Sequence, residues 1–302
     1  MYDIIIIGGG PAGMTAALYA QRNGKTALVI EKNAFGGQIV NSPLVENIPG
    51  SKSITGSEFA EKFLDQILEQ GADIEVDEVK KIEKNNNCFV ITTEYSSFES
   101  KAVIVAAGVK HRLLGLDGEE SLIGEGISFC AICDGDFYKG KEVCVAGGGN
   151  SALQEAVLLS EKSSKVTILQ DLDYLTGEKK LQDVLAKKNN VECITGVKIK
   201  KLRTADGVFS GVTITDSEGS DKDINCSGLF VAIGLIPEND IYKEYALLNN
   251  WGYFESDESC TTKTPGLFVA GDCRSKTIRQ VTTACSDGAT AAIAACRYID
   301  EL

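Results

Sequence analysis

Two cysteines separated by two residues are the most reactive group in the sequence. They lie in the run Cys130–Gly135, which reads C-A-I-C-D-G. Such a pair can close a small disulfide ring, and one of its thiols can be the attacker with the lower pKa. The neighbouring Asp134 could carry protons to and from a leaving thiolate. Zinc would need two further ligands, but the chain has no second C-x-x-C and its only histidine is His111. The pair Cys130 and Cys133, with Asp134, therefore predicts redox chemistry on a disulfide and no metal site.

A glycine-rich turn near the start of the chain could hold a dinucleotide. The turn reads G-G-G-P-A-G and lies between an apolar strand-like run and a helix-like run. Its glycines allow the backbone to approach a pyrophosphate, and the helix that follows attracts the negative charge. Glu31 lies 23 residues after Gly8, where a carboxylate can accept hydrogen bonds from ribose hydroxyls. The predicted contacts in the turn are Gly8, Gly10, Pro11, Ala12 and Gly13.

A second signature lies near the C-terminus. The run Thr264–Asp272 reads T-P-G-L-F-V-A-G-D and resembles the C-terminal flavin fingerprint of two-domain disulfide reductases. A strand would deliver Gly271 close to the ligand, and Asp272 could bind a ribityl hydroxyl. A helix predicted after Gln280 and Val281 would direct its positive end at the flavin pyrimidine and stabilise negative charge there. Together with the first turn, this signature predicts that the dinucleotide is FAD.

A second glycine-rich turn, Gly147–Ala152, reads G-G-G-N-S-A and fits the same fingerprint. The 2′-phosphate of NADPH is a dianion that bidentate arginines hold best. Asp171 and Asp173 follow the next predicted strand, where those arginines would be expected. Each contact between like charges at ~4 Å costs roughly 1 to 4 kcal/mol, depending on the local dielectric. NADPH should therefore bind poorly, whereas Asp171 could instead hold the 2′-hydroxyl of NADH.

The two turns must be positioned by two similar units of strand, glycine turn, helix and strand. The first unit spans Asp3–Ile30 and the second spans Glu142–Leu169. Parallel strands joined by a right-handed helical crossover are typical of Rossmann-like domains. The fold class is therefore predicted to be α/β, with two three-layer (ββα) domains of the FAD/NAD(P)-binding type, the second inserted into the first.

The domain boundaries are predicted from polar, glycine-containing segments. These are Lys110–Glu120 and Gly234–Pro237. Residues 1–110 with 234–302 would form the FAD-binding domain. Residues 111–233 would form the inserted domain, which carries the dithiol and a degraded nucleotide site.

Composition and charge exclude several classes of protein. With 302 residues, 43% hydrophobic and 24% charged, the chain can bury a core and is neither disordered nor fibrous. A net charge of −13 makes it a poor general binder of nucleic acid or anionic lipid. Eight of its ten cysteines are scattered, mostly in apolar runs, as is usual for free thiols. No signal peptide or membrane-spanning run of ~20 apolar residues is evident, so a cytoplasmic location is expected.

The order of these motifs resembles the low-molecular-weight thioredoxin reductase family. The FAD turn, C-A-x-C-D-G, the second glycine turn and the C-terminal G-D follow one another across nearly the whole chain. Further matching stretches are Gly36–Gln38, Val45–Gly50 and Arg279–Val281. The resemblance implies a homodimeric flavoprotein that reduces thioredoxin. It also implies that Cys133 faces the flavin, that Cys130 attacks thioredoxin, and that the inserted domain rotates between the two. The further FAD contacts that it implies are Lys32, Gly37, Gln38, Asn47, Arg279, Gln280 and Val281.

The second glycine turn leaves the electron donor open. A branch of the family, the ferredoxin-dependent flavin thioredoxin reductases, lacks the NADPH motifs, and resemblance to it predicts reduced ferredoxin as the donor. NADPH, or NADH, is the alternative. A flavoprotein redox sensor or scaffold without turnover is a third hypothesis, against which the intact dithiol and Asp134 argue. Because ferredoxins are usually acidic, docking would need local positive charge. The candidate basic residues are Lys179, Lys180, Lys187, Lys188, Lys198, Lys200, Lys201 and Arg203.

Overall fold

The structure, a computed structural model, describes residues 1–42, 44–86 and 88–302. Its helices are α1 Pro11–Arg22, α2 Gly56–Glu69, α3 Ala131–Asp134, α4 Asn150–Ser160, α5 Lys179–Leu185 and α6 Val281–Asp300. Its strands are β1 Tyr2–Ile7, β2 Ala27–Glu31, β3 Asp73–Val76, β4 Val79–Asn85, β5 Cys88–Thr93, β6 Ser97–Val105, β7 Lys110–His111, β8 Ile127–Ser128, β9 Glu142–Ala146, β10 Lys165–Leu169, β11 Val191–Ile194, β12 Lys198–Ala205, β13 Val208–Thr215, β14 Asp221–Asn225, β15 Gly228–Val231, β16 Leu235–Ile236 and β17 Leu267–Val269. Within the described residues, no helix is long and apolar enough to cross a membrane.

The chain divides into two compact units. The first consists of Met1–Val40, Glu46–Lys110 and Ile236–Leu302, and the second of Asn41–Val45 and His111–Leu235. The long segment of the second unit, His111–Leu235, begins within β7 and ends within β16, and these two strands pair as a two-stranded sheet. These boundaries lie within the segments predicted as linkers, with the second at residue 235 rather than 233. No sequence pattern predicted that Asn41–Val45 would group with the second unit.

The first unit is built on a seven-stranded sheet in the order β3-β2-β1-β6-β5-β4, with β17 also paired to β6. Strand β1 lies parallel to β2 and to β6, so it is central and covered on both faces. This position explains its unbroken apolar run Ile4–Ile7, since a strand buried on both faces does not alternate with polar residues. Ile4 and Ile6 pack in a core with α1 and α6, and Ile5 and Ile7 pack in a second core on the other face.

The second unit has a five-stranded parallel sheet in the order β11-β10-β9-β15-β8. Helix α4 packs in a core on one side of it, and the antiparallel sheet β12-β13-β14 contributes to a second core. Both units therefore contain the predicted strand, glycine turn, helix and parallel strand. The α/β fold class with Rossmann-like units is confirmed.

Candidate active site

Cys130 and Cys133 form a disulfide in the second unit, with their Cα atoms 5.3 Å apart. Cys130 is the N-cap residue of α3, and its Sγ accepts a hydrogen bond from the Cys133 backbone N–H at 3.2 Å. An amide directed at a sulfur stabilises a thiolate at that sulfur. Once the disulfide is reduced, this geometry favours Cys130 as the attacking thiolate.

The surface around the disulfide is apolar and accessible. Both cysteines are half-buried, while Ile132 between them is 53% exposed and Phe137 is 40% exposed. Isolated exposed apolar residues are ordinary, but Ile132 lies inside the disulfide ring and Phe137 follows Cys133 by four residues. They form a surface that a protein disulfide could contact.

Asp134 is buried directly after the disulfide. Its Oδ2 accepts a hydrogen bond from Ser128 Oγ at 2.6 Å, and the same Oγ accepts the Cys130 backbone N–H at 3.1 Å. Its Oδ1 is buried and finds no hydrogen-bond partner among the described residues. Burial raises the pKa of the Asp134 carboxyl, and the bond from Ser128 offsets part of that rise. The group is therefore a better proton donor near neutral pH than a surface aspartate.

A second carboxyl, which the sequence motifs did not identify, lies beside the disulfide. Glu155 projects from α4, and its Oε2 accepts the backbone N–H of Ala131, the first residue of α3. Burial raises the pKa of Glu155 to about 7. A sequence signal for Glu155 exists in the helical spacing of α4. Glu155 follows the buried Ala152 by three residues and precedes the buried Leu159 by four, so its carboxylate lies on the buried side of an apolar helix.

The glycine turn of the first unit forms a cradle. Gly8 has a φ of +112°, and a Cβ there would lie 2.3 Å from the carbonyl oxygen of Ala106. The Gly9 N–H donates to Glu31 Oε2 at 2.7 Å, which places the carboxylate at the end of β2 against the turn. Gly10 caps α1 without a side chain, so the first turn of that helix is open to a phosphate.

Other predicted FAD residues converge on the same unit. Gly37 approaches Gly10 so closely that a Cβ on it would lie 3.1 Å from the Gly10 Cα. Asn47 Nδ2 donates to Gln280 Oε1 at 3.1 Å, and Gln280 caps α6, which begins at Val281. Gln38 Nε2 donates to the carbonyl of Val109. The side chain of Lys32, by contrast, pairs with Glu238.

Asp272 supplies the test of whether these residues fit a flavin dinucleotide. Its Oδ1 is buried and has no partner at hydrogen-bond distance in the described part of the chain, and the nearest cation, the Lys276 ammonium, lies 3.7 Å away. Burial raises the pKa of Asp272, and Lys276 offsets part of that rise. Gly271, with a φ of +78°, and Arg279, whose Nε donates to the Asp272 carbonyl at 3.3 Å, hold the segment in place. A ribityl hydroxyl would satisfy the orphaned oxygen. The cradle and this oxygen together fit FAD.

The second glycine turn repeats the backbone of the first but not its acid. Gly147 has a φ of +120°, and a Cβ there would lie 2.5 Å from the carbonyl oxygen of Ala232. Gln170, 23 residues after Gly147, packs on Gly148, where a Cβ would meet its side chain at 2.6 Å. In the first turn, Glu31 likewise lies 23 residues after Gly8 and packs against Gly9. The amide of Gln170 thus lies where the carboxylate of Glu31 lies in the first turn, and Asp171 is one residue further on.

The residues after Gln170 fold back on the turn. The N–H groups of Thr176 and Gly177 both donate to the Gly148 carbonyl at 2.9 Å. Asp171 and Asp173 are exposed, and residues 170–178 contain no lysine or arginine. Lys179 is the next basic residue, and its Nζ lies 3.1 Å from Asp183 Oδ1. In the described residues, no group of three or more His, Cys, Asp or Glu side chains is placed to hold a metal ion.

A disulfide beside buried carboxyls and a flavin cradle define the class of flavin-dependent disulfide oxidoreductases. Residues 2–288 match the family model described as "Pyridine nucleotide-disulphide oxidoreductase". The chain is 38% identical to the thioredoxin reductase of Bacillus subtilis (strain 168), over 100% of this chain and 96% of that protein. It belongs to this family and, within it, to the low-molecular-weight thioredoxin reductases, flavoproteins that bind FAD.

Two further similarities extend the comparison. The crystal structure of thioredoxin reductase from Streptococcus pyogenes MGAS5005 matches with a TM-score of 0.94 and 38% identity, covering 100% of this chain and 99% of that one. The "34.2 kDa protein in rubredoxin operon" of Clostridium pasteurianum is 40% identical over 98% of this chain and 97% of that protein. The resemblance to thioredoxin reductases is confirmed, whereas these matches do not separate the ferredoxin-dependent branch from NADPH-dependent members.

Proposed function

We propose that this thioredoxin reductase acts through the Cys130–Cys133 pair and takes its electrons from reduced ferredoxin. When bound, FAD supplies a group that can accept electrons singly and deliver them as a pair. Glu31, Asp272 and the glycine cradle hold the cofactor. The observation that carries the proposal is the half-exposed disulfide in α3, with the buried Asp134 directly after it.

The residues around α3 support a two-step exchange. Cys130 Sγ forms a bond to one sulfur of the thioredoxin disulfide while the thioredoxin S–S bond breaks, and the leaving thiolate takes a proton. Cys133 Sγ then attacks Cys130 Sγ, which re-forms the disulfide and releases dithiol thioredoxin. Asp134 supplies a proton to a leaving thiolate, since its carboxyl is buried beside the pair.

Serine substitutions test the dithiol. We expect Cys130→Ser and Cys133→Ser each to lower thioredoxin reduction by at least ~100-fold while FAD remains bound, because neither variant can cycle a disulfide. Thioredoxin turnover and the flavin spectrum would be measured on the same preparations. Cys193→Ser, at an exposed free cysteine, is the control. Turnover that persists in both active-site variants would reject the mechanism.

The charges of the second glycine turn support a donor other than NADPH. Gln170 takes the place that would contact a ribose, and the residues just beyond it carry the carboxylates of Asp171 and Asp173. A 2′-phosphate would meet two like charges here and no arginine.

NADPH is the second candidate, favoured by one observation: Gly147 keeps the backbone geometry of a dinucleotide turn. Anaerobic titrations with NADPH, NADH and reduced ferredoxin, each followed by the loss of oxidised flavin absorbance, would identify the donor. We expect bleaching by ferredoxin alone, followed by thioredoxin reduction. Rapid bleaching by stoichiometric NADPH would contradict the ferredoxin proposal. Bleaching without thioredoxin reduction would favour a redox sensor or scaffold.

A double variant, Asp171→Arg with Asp173→Arg, tests whether these two acidic residues exclude NADPH. If the acidic residues exclude NADPH, this double variant gains bleaching by NADPH and keeps its response to ferredoxin. Asp183→Arg, which adds positive charge on α5 outside the turn, is the control. Equal NADPH responses in the double variant and the control would show that Asp171 and Asp173 are not the barrier.

An apolar groove on the first unit bears on the oligomeric state. A groove of about 600 Å³ between α1, α2 and α6 is lined largely by apolar side chains, among them Leu18, Phe59 and Phe63. We propose that a second copy of the chain covers this groove, and that Phe59→Glu converts the dimer to a monomer in sedimentation.

Eight free cysteines support a reducing, cytoplasmic environment.

A further inference from the structure

The dithiol has a second acidic neighbour with no role in the exchange described above. The carboxylate of Glu155 on α4 accepts the backbone N–H of Ala131, which directly follows Cys130. Ala131 is only 1% exposed, so water does not compete for this amide. The bond ties the first residue of the dithiol helix α3 to α4.

The hydrogen bond to the Ala131 N–H does not require a charged acceptor. A glutamine oxygen would accept the same N–H, whereas a carboxylate also brings a negative charge to the start of α3. Amides at that end of the helix stabilise a thiolate, and the Cys133 N–H already donates to Cys130 Sγ at 3.2 Å. Glu155 occupies the amide of Ala131 and adds a charge of the same sign as a thiolate.

We propose that Glu155 is a positioning residue that sets the balance between thiol and thiolate at Cys130 in the reduced protein. It does so by holding the Ala131 amide and by placing a carboxylate charge at the residue that directly follows Cys130. The inference rests on the proposed function, since it assumes that the Cys130–Cys133 pair is the redox centre.

The charges around Glu155 are few. Asp134 faces it from α3, and its negative charge adds to the effect of burial, which together raise the pKa of Glu155 to about 7. Lys162, two residues after the end of α4, has its ammonium 2.8 Å from Asp136 Oδ1. Burial raises the pKa of Tyr138 to about 12, so that phenol stays neutral. Glu155 and Asp134 are therefore two coupled acids beside one dithiol, and Glu155 changes charge near neutral pH.

The test is the rate of Cys130 alkylation by iodoacetamide across pH. It uses the full-length, FAD-containing protein after chemical reduction, with the labelled peptide quantified by mass spectrometry. In Glu155→Gln the Ala131 bond is kept and the charge is lost, so the thiolate is favoured. We expect the alkylation midpoint to move to lower pH by about one unit. The pH profile of thioredoxin reduction should move in the same direction.

Two further measurements keep the outcome interpretable. Glu161 caps the C-terminus of α4, is exposed and pairs with Lys188. Glu161→Gln removes its charge and should leave the pH midpoint of Cys130 alkylation unchanged. In the unsubstituted protein, coupling to Glu155 should spread the Cys130 titration over a wider pH range than a single thiol shows. A midpoint unaltered in Glu155→Gln, or a wild-type curve with the width of an isolated thiol, would make Glu155 only a structural cap.

The failure of this inference can be told apart from failure of the proposed function. Alkylation is measured on chemically reduced protein and needs neither ferredoxin nor NADPH. A shifted midpoint in a protein that ferredoxin does not reduce would retain the role of Glu155 and reject the donor. Turnover that survives Cys130→Ser would instead remove the premise of both.

Discussion

At the residue scale, Asp134 and Asp136 show how the environment separates two aspartates that lie two positions apart. Asp134 is buried with one oxygen unpartnered among the described residues, whereas Asp136 is exposed and pairs with Lys162 at 2.8 Å. Burial raises the pKa of Asp134, so its carboxyl keeps a proton to a higher pH than a surface carboxyl does. Its capacity to donate that proton falls as pH rises through the raised pKa.

The first prediction follows from this contrast. Asp134→Asn should lower thioredoxin reduction by roughly 100-fold, because an amide cannot transfer the proton, and should remove the loss of rate on the alkaline side. Stopped-flow measurement of thioredoxin reduction across pH would show both effects. Asp136→Asn should leave the rate within about twofold, since a surface ion pair contributes little. If the two variants behave alike, burial of Asp134 has no catalytic purpose.

His111, the only histidine, predicts a loss of stability in acid. Its ring stacks on Phe129 with centroids 4.3 Å apart, and burial lowers its pKa to about 4. An unfolded histidine binds a proton near pH ~6.5, so between these values the unfolded chain binds more protons than the folded one. The stability contributed by the neutral ring is present above that range and is lost as pH falls through it, by about 2 kcal/mol at pH ~5.

The variant His111→Phe keeps an aromatic ring on Phe129 but cannot be protonated. We expect its urea unfolding midpoint to fall less than that of the unsubstituted protein when pH is lowered from about 7 to about 5. Carboxylates contribute equally to both proteins, so the difference reports the imidazole alone. Equal losses in the two proteins would mean that the folded imidazole binds its proton as readily as the unfolded one.

At the element scale, the packing of α1 on α6 depends on small residues. Ala12, Ala16 and Ala20 of α1 lie in one core with Ala291 and Ala295 of α6, and all five are buried. Side chains of this size let the two backbones approach closely. The closest point is Gly288, where a Cβ would lie 2.1 Å from the carbonyl oxygen of Ala12.

The third prediction concerns that contact. Gly288→Ala forces α6 away from α1 and should destabilise the first unit by about 2 kcal/mol or more. The N-terminus of α1 is also the phosphate end of the FAD cradle, so FAD retention during gel filtration should fall as well. Ser286→Ala, at an exposed position of the same helix, should change neither property. Unchanged unfolding and FAD content in Gly288→Ala would show that α6 can shift without cost.

The elements that the sequence predicted are those whose signals are local. The apolar run of β1, the glycines after it and Glu31 lie within about one βαβ unit, so spacing alone identifies them. The antiparallel sheet was not predicted, because β12 has Leu202 as its buried residue and is otherwise mostly exposed and charged. Its stability comes from pairing with β13, which no short window of sequence contains.

The site shows the same division between local and distant signals. Cys130, Cys133 and Asp134 were found because they are adjacent in the chain, and the disulfide forms as that spacing suggested. Glu155 was missed because its partner Ala131 lies 24 residues away, on another element. Asp171 as a ribose ligand stays a prediction, and the structure adds that Gln170 has the residue spacing of Glu31 and packs on the second turn.

At the scale of the whole molecule, net charge opposes the proposed donor. The chain carries −13, and ferredoxins are usually acidic. Of the basic residues considered for docking, several are paired with the chain's own carboxylates, namely Lys179 with Asp183, Lys188 with Glu161, Lys200 with Asp221 and Arg203 with Asp223. These pairs offset half of the eight candidate positive charges, and the net charge of the chain stays acidic.

The fourth prediction is therefore an unusual dependence on salt. Attraction between opposite charges makes association slower as salt is added, whereas repulsion makes it faster. Raising ionic strength from about 0.01 M to 0.15 M shortens the Debye length from ~30 Å to ~8 Å and screens the long-range repulsion. The rate of flavin reduction by limiting reduced ferredoxin should therefore rise over this range. Reduction by an uncharged photoreductant serves as the control and should not change. A rate that falls with salt would mean that a local basic surface outweighs the net charge. Lys201→Glu, which replaces one positive charge of that surface with a negative charge, should then weaken the salt dependence.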